Sequence, residues 1–143
     1  MKGFPFSLLA ALSAQVLCQL AKVVYFSFKE RRTAFKYFLS PGGMPSSHSA
    51  FVTALCVSTG IRSGFFSDLF AVSLTFSAIV IYDALRLRGT VQKQSIMINR
   101  FIEKDAGFKG ERMSEMVGHT LPEIIAGIMA GIIVAVGMLS LSA

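Results

Sequence analysis

The chain has 143 residues, 53% of them hydrophobic and only 15% charged, with a formal charge of +6. Soluble chains carry about 25% charged residues; this composition sets aside intrinsic disorder, a collagen-like chain and a disulfide-built secreted domain, and 143 residues exclude a large soluble enzyme. A hydrocarbon slab about 30 Å thick requires about 20 mostly apolar residues per helix, which leaves room for about four spans and little else.

The first apolar run extends from Phe4 to Phe28, interrupted by Gln15, Gln19 and Lys22. It exceeds the roughly 7–15-residue apolar core of a signal peptide, so it is read as a retained span. A basic connection, Lys29 to Met44, follows. The second run, Pro45 to Ile61, is short for a span. A tiny turn at Arg62–Gly64 leads into the third, Phe65 to Leu85. The segment Arg86–Met116 is mixed in charge. Within it Val91, Ile96, Ile98, Phe101 and Ile102 alternate with Lys93, Arg100, Glu103 and Lys104. That pattern fits an amphipathic helix at the membrane interface or a short soluble helix covering a site. The fourth run, Val117 to Leu141, contains Gly127-Ile-Met-Ala-Gly131, a small-xxx-small pattern that permits close helix packing. Cys18 and Cys56 both sit in apolar runs and read as small buried hydrophobes.

The expected fold is all-α, a polytopic membrane bundle of about four transmembrane helices with an amphipathic interfacial helix. Residues 1–143 are expected to form one integral-membrane domain. Alternating spans put both long connections on one face. They hold 11 of the 14 Lys and Arg residues, while Lys2 and Arg62 lie on the other side. The positive-inside rule then makes that face cytoplasmic, or stromal or matrix in an organelle.

Ionisable residues inside spans are costly and usually functional. Lys22 lies toward the loop end of the first span. His48 opens the second, Asp83 and Arg86 close the third, and His119 and Glu123 open the fourth. All six converge on the face that carries the basic loops. His48 follows Pro45-Ser46-Ser47, a helix start whose serines and free amides suit a phosphate. The same residues also read as ordinary helix-start chemistry. His119 and Glu123, four apart, share a face on a helix, so the carboxylate can hold one ring nitrogen and leave the other free for nucleophilic attack. The plainer reading is a satisfied interfacial histidine. Lys22, Lys29, Arg31, Arg32 and Lys36 suit phosphate, membrane orientation or anionic lipids, and Arg86, Arg88 and Arg112 are similarly open. The histidines and scattered carboxylates lack metal-site spacing, and nothing supports nucleic-acid binding.

Gly42-Gly43-Met44-Pro45-Ser46-Ser47-His48-Ser49-Ala50, Lys29-Glu30-Arg31-Arg32, Tyr82-Asp83-Ala84, Gln92, and Gly118-His119-Thr120 with Glu123 and Gly127 closely resemble the divergent PAP2 family. That family is related to acid phosphatases and vanadium-dependent haloperoxidases. The resemblance covers nearly the whole chain. In the wider phosphatidic-acid phosphatase superfamily three motifs form the site. Lys22 with Arg31 or Arg32 resembles the first, without its proline. Pro45-Ser46-Ser47-His48 resembles Pro-Ser-Gly-His, with Ser47 for glycine. His119 and Glu123 resemble the His and Asp of Ser-Arg-xxxxx-His-xxx-Asp, but Met113 stands at the arginine position and Arg112 is one residue off.

The resemblance implies a metal-independent phosphatase with His119 as nucleophile, Glu123 as its orienter and His48 as acid and base. It implies a phosphate held by Lys22, by Arg31 or Arg32, and by Ser46 and Ser47; outside the resemblance, Asp83 and Arg88 are candidates to compensate for the missing motif arginine, with Arg112 one residue off its position. No cofactor is expected, although vanadate, a phosphate mimic, suits the same pocket. The expected substrate is an amphiphilic phosphate, a lipid phosphate or isoprenoid diphosphate, and the expected partners are membrane lipids and, with stoichiometry open, further copies of the chain. The competing reading is a membrane protein that kept the fold without turnover and serves as a phosphate- or lipid-binding, regulatory or assembly factor. The departures in the first and third motifs favour it. The retained His48, His119 and Glu123 favour chemistry.

Overall fold

The structure, a computed structural model, describes residues 5–39, 42–104, 110–115 and 117–142. The interior of the second connection at 105–109 lies outside them. Among the described residues five α-helices follow one another: α1 (Phe6–Glu30), α2 (Ser47–Ser63), α3 (Asp68–Leu85), α4 (Leu87–Lys104) and α5 (Leu121–Ser142), with a 3-10 turn at Phe35–Leu39. No strand occurs among the described residues. The all-helical architecture agrees with the periodicity and apolarity of the sequence.

Among the described residues, three stretches are long and apolar enough to cross a membrane: Phe6–Glu30, the run Asp68–Lys104, and Leu121–Leu141. The expected second span is α2, and it is not among them. Its 17 residues rise about 26 Å at 1.5 Å each, and its sequence is rich in Ser, Thr and Ala. It packs against α1, α3 and α5, and it is the most buried helix of the bundle, with Ser47, Ser49, Ala50, Val52, Thr53 and Ala54 all inside.

Small residues explain how α2 is enclosed. Ala14 and Cys18 of α1, Ala50 and Ala54 of α2 and Ala135 of α5 form a buried cluster. Gly131 faces the α2 backbone so closely that a Cβ there would meet Ala50 O at 2.5 Å, and one on Gly127 would collide with Ser46 O. The small-xxx-small pattern is therefore the α2–α5 contact surface, because only hydrogen lets these backbones meet. On the other side Ser77 Oγ lies 2.9 Å from Val52 O and 2.8 Å from Ser73 O, a shared hydroxyl donor from α3 to α2. Gln19 Nε2 of α1 donates to Ser47 Oγ at 3.2 Å. Large apolar side chains such as Leu69, Val72, Ile79 and Ile133 point outward, as lipid contact requires.

The end of the bundle near the long connections is tied together. Ser46 N–H donates to Glu123 O at 3.0 Å, joining the starts of α2 and α5, and His119 N–H donates to Ala84 O at 3.3 Å, joining α5's entry to the end of α3. The first connection folds back on α1: Phe26 stacks on Tyr37 with centroids 4.0 Å apart, and Ser27 Oγ accepts from Ala34 N–H at 3.0 Å. Apolar residues of α4, including Val91, Ile98 and Phe101, are exposed, which suits an interfacial helix. Its buried Asn99 holds the returning chain, donating from Nδ2 to Met113 O at 2.9 Å and to Glu115 Oε1 at 2.7 Å.

Candidate active site

The site assembles where four helix ends meet. Ser46 caps α2: its Oγ accepts from Ser49 N–H at 3.4 Å and from Ser49 Oγ at 3.0 Å. That cap puts His48 in the first turn of α2. His119 stands just before α5. Glu123, in the first turn of α5, reaches back, and its Oε2 lies 3.0 Å from His119 Nδ1 and accepts from Thr120 N–H at 3.1 Å. His119 and Glu123 thus pair without sharing a helix. Thr120-Leu-Pro-Glu123 places a carboxylate where a capping box puts it, returning to the backbone amide that opens the helix. The sequence reading missed this pattern, although Thr-x-x-Glu is visible in the residues alone.

The rings of His48 and His119 lie with centroids 6.5 Å apart and planes at 61°. The His119 side chain is fully buried, and its Nε2 has no hydrogen-bonding partner among the described residues. Burial holds its imidazole below the ordinary histidine pKa, while the hydrogen bond and charge of Glu123 pull the other way. The ring is therefore neutral at neutral pH, and with Nδ1–H donated to Glu123 the lone pair sits on Nε2.

Lys22 is 0% exposed, and a Cβ added to Gly43 would lie 3.7 Å from Lys22 Cδ and 3.2 Å from Phe26 Cε2. Its charge is felt by His48, His119 and Glu123. Arg88 acts electrostatically on both histidines, and its Nε donates to Asp83 Oδ2 at 2.9 Å. His119 lines a separate cavity of about 490 Å³ with Arg86, Gln92 and Thr120, whereas His48, Asp83 and Arg88 line one of about 550 Å³ together with Gln15, Phe51, Phe76 and Ile79. The backbones of α1 and α3 do not approach each other, so the larger cavity is a cleft between them, floored by α2, with its polar groups at one end.

Other expected phosphate contacts lie elsewhere. Arg31 is the exposed C-cap of α1, in the left-handed conformation with φ 52°. Arg32 is 70% exposed and pairs with Glu30 at 3.0 Å. Arg112 is 64% exposed and pairs with Glu103. Each of these charges has open solvent or a local carboxylate to satisfy it, and none is drawn inward. Ser46 and Ser47 are at the site, but both are fully buried with their hydroxyls engaged by Ser49 and Gln19. They hold the helix start that presents His48. Gln92, quoted for the resemblance without a role, has one: its Oε1 accepts from Gly118 N–H at 3.1 Å and fixes the residue before His119.

The model of the Divergent PAP2 family matches residues 5–134. The chain belongs to that family. Over 142 aligned residues, 90% of each chain, it is 34% identical to YuiD of Bacillus subtilis (strain 168), described as an uncharacterized membrane protein. No solved structure matches it. Like that relative, this member of the family is a membrane protein.

Proposed function

We propose that this protein is a membrane phosphatase that hydrolyses a lipid phosphate or isoprenoid (di)phosphate through a phosphohistidine on His119. One observation carries the reading: a buried imidazole held by a carboxylate at Nδ1, with an unpartnered Nε2, faces a second histidine 6.5 Å away, centroid to centroid. Nε2 attacks phosphorus, the bond from phosphorus to the leaving oxygen breaks, and protonated His48 gives that oxygen its proton. Neutral His48 then takes a proton from water as the water oxygen attacks phosphorus. The phosphorus–nitrogen bond breaks, and inorganic phosphate leaves. Lys22 stabilises the charge on the transferring oxygens.

The cleft supports an amphiphilic substrate, because His48, Asp83 and Arg88 stand at one end of a wall made of Phe51, Phe76 and Ile79. The weight of Lys and Arg in the two connections supports a cytoplasmic, stromal or matrix-facing site. A phosphate- or lipid-binding role without turnover is the second reading. It is favoured by the outward placement of Arg31, Arg32 and Arg112.

The test is phosphate release from a panel of lipid and isoprenoid phosphates by purified protein beside His119→Ala. Wild-type turnover lost in the variant supports the phosphatase. Orthovanadate binding without turnover on any substrate makes the protein a binder.

A further inference from the structure

The superfamily's third motif contains an arginine that this chain lacks, since Met113 stands there and Arg112 points to Glu103 at the surface. A phosphoryl group in transfer spreads charge over its non-bridging oxygens, and one buried lysine meets only part of it. A second cation is therefore expected near the histidines, from somewhere else in the fold.

Building on the phosphate-site reading of His48 and His119, we infer that Arg88, positioned by Asp83, is the second phosphate clamp, supplied by α4 in place of the missing arginine. Arg88 and Asp83 line the cleft with His48. The Nε of Arg88 is engaged by Asp83 Oδ2 at 2.9 Å, which fixes the guanidinium plane and leaves its terminal NH₂ groups for a phosphate. The beginning of α4 is locked to the nucleophile's own segment: Gln92, one turn beyond Arg88, binds Gly118 N–H, and Ala84, next to Asp83, binds His119 N–H. The two cations thus approach from different sides, Lys22 from α1 and Arg88 from the α3–α4 junction. Asp83 acts through Arg88 and is a positioning residue. The Asp83–Arg88 pair is about one-third exposed, so a phosphate can reach it without unpacking the bundle.

The experiment measures orthovanadate binding to the purified full chain in detergent, and phosphate release kinetics beside it, for wild type, His119→Ala, R88A, R88K, D83N, D83N/R88A and R100A. Arg100 is an exposed residue of α4 and serves as the control. Loss of one charge-assisted hydrogen-bonding group weakens vanadate binding by between about tenfold and a hundredfold. R88A is expected to show that loss, R88K part of it, and R100A none. D83N is expected to weaken binding on its own and to add nothing in the R88A background, because it acts only through Arg88. An unchanged melting temperature and partial rescue by R88K separate clamping from folding. R88A binding vanadate like wild type, while His119→Ala does not, overturns the clamp and leaves the phosphate-site reading standing. Wild-type protein that neither binds vanadate nor releases phosphate overturns both.

Discussion

Helices α2 and α3 are neighbours of nearly equal length, 17 and 18 residues, and they are built on opposite plans. Helix α2 carries Ser, Thr and Ala and is enclosed by the protein, whereas α3 is strongly apolar and buries only Ser73, Ser77 and Ala84. In water this would be inverted. In a bilayer, lipid tails are as apolar as leucine, so large hydrophobic side chains gain little by turning inward. Small residues and hydroxyls form the interior because they let backbones approach and bond. The comparison also explains why the catalytic candidate on α2 is His48 at the helix mouth. The enclosed helix is the one whose terminus all its neighbours surround.

The comparison breaks most sharply at the α2–α5 contact. Gly131→Leu drives a branched side chain into Ala50 O and is expected to destabilise the protein by about 3 kcal/mol or more, read as a large drop in the melting temperature of detergent-solubilised protein. Next in size is Glu123→Gln at the entry to α5. It keeps the volume but weakens the hold on His119, and turnover should fall by roughly a hundredfold.

The pH profile of kcat/KM sharpens the same point. Burial sets the His119 pKa below the ordinary value of about 6.5, so Nε2 stays unprotonated through neutrality and the acid limb falls at that lowered value, while a separate basic limb marks loss of the proton that His48 donates. Glu123 opposes the shift, so Glu123→Gln should move the acid limb to still lower pH. An acid limb above about 6.5 in wild type contradicts a buried neutral nucleophile.

A smaller effect belongs to the α3–α2 seam. Ser77→Ala removes the hydroxyl shared between Val52 O and Ser73 O and should cost about 0.6 kcal/mol in thermal or chemical unfolding. The smallest belongs to the lipid face. Val72→Leu on α3, at an exposed position, should stay within about 0.5 kcal/mol, and a larger loss would mean that α3 is covered by protein.

Much of this was legible in the residues. The apolar runs located α1, α3 and α5 within a few positions, and the string from Gly42 to Ala50 marked the start of α2. The helical rule of four paired His119 with Glu123 correctly, but for the wrong local reason, since α5 begins at Leu121 and the contact is made through helix-entry geometry. Arginines were the least legible. Arg31, Arg32, Arg88 and Arg112 all neighbour a motif in sequence, yet of these four Arg88 lines the cleft with His48 while the other three stay at the surface, because a long flexible cation takes its direction from the nearest carboxylate. Glu30 and Glu103 hold Arg32 and Arg112 at the surface, while Asp83 holds Arg88 beside the cleft.

By itself, the sequence determined a one-sided membrane protein of the helical class. Its scarce charge had to gather where water is, and its long apolar runs admit few other solvents. Tertiary structure alone decided which helix is enclosed, which arginine turns inward and how far apart the two histidines stand. Those outcomes depend on backbones meeting at Gly127 and Gly131, and on bonds between residues far apart in the chain, such as Ser46 with Glu123 and Ala84 with His119. No local pattern encodes such long-range contacts.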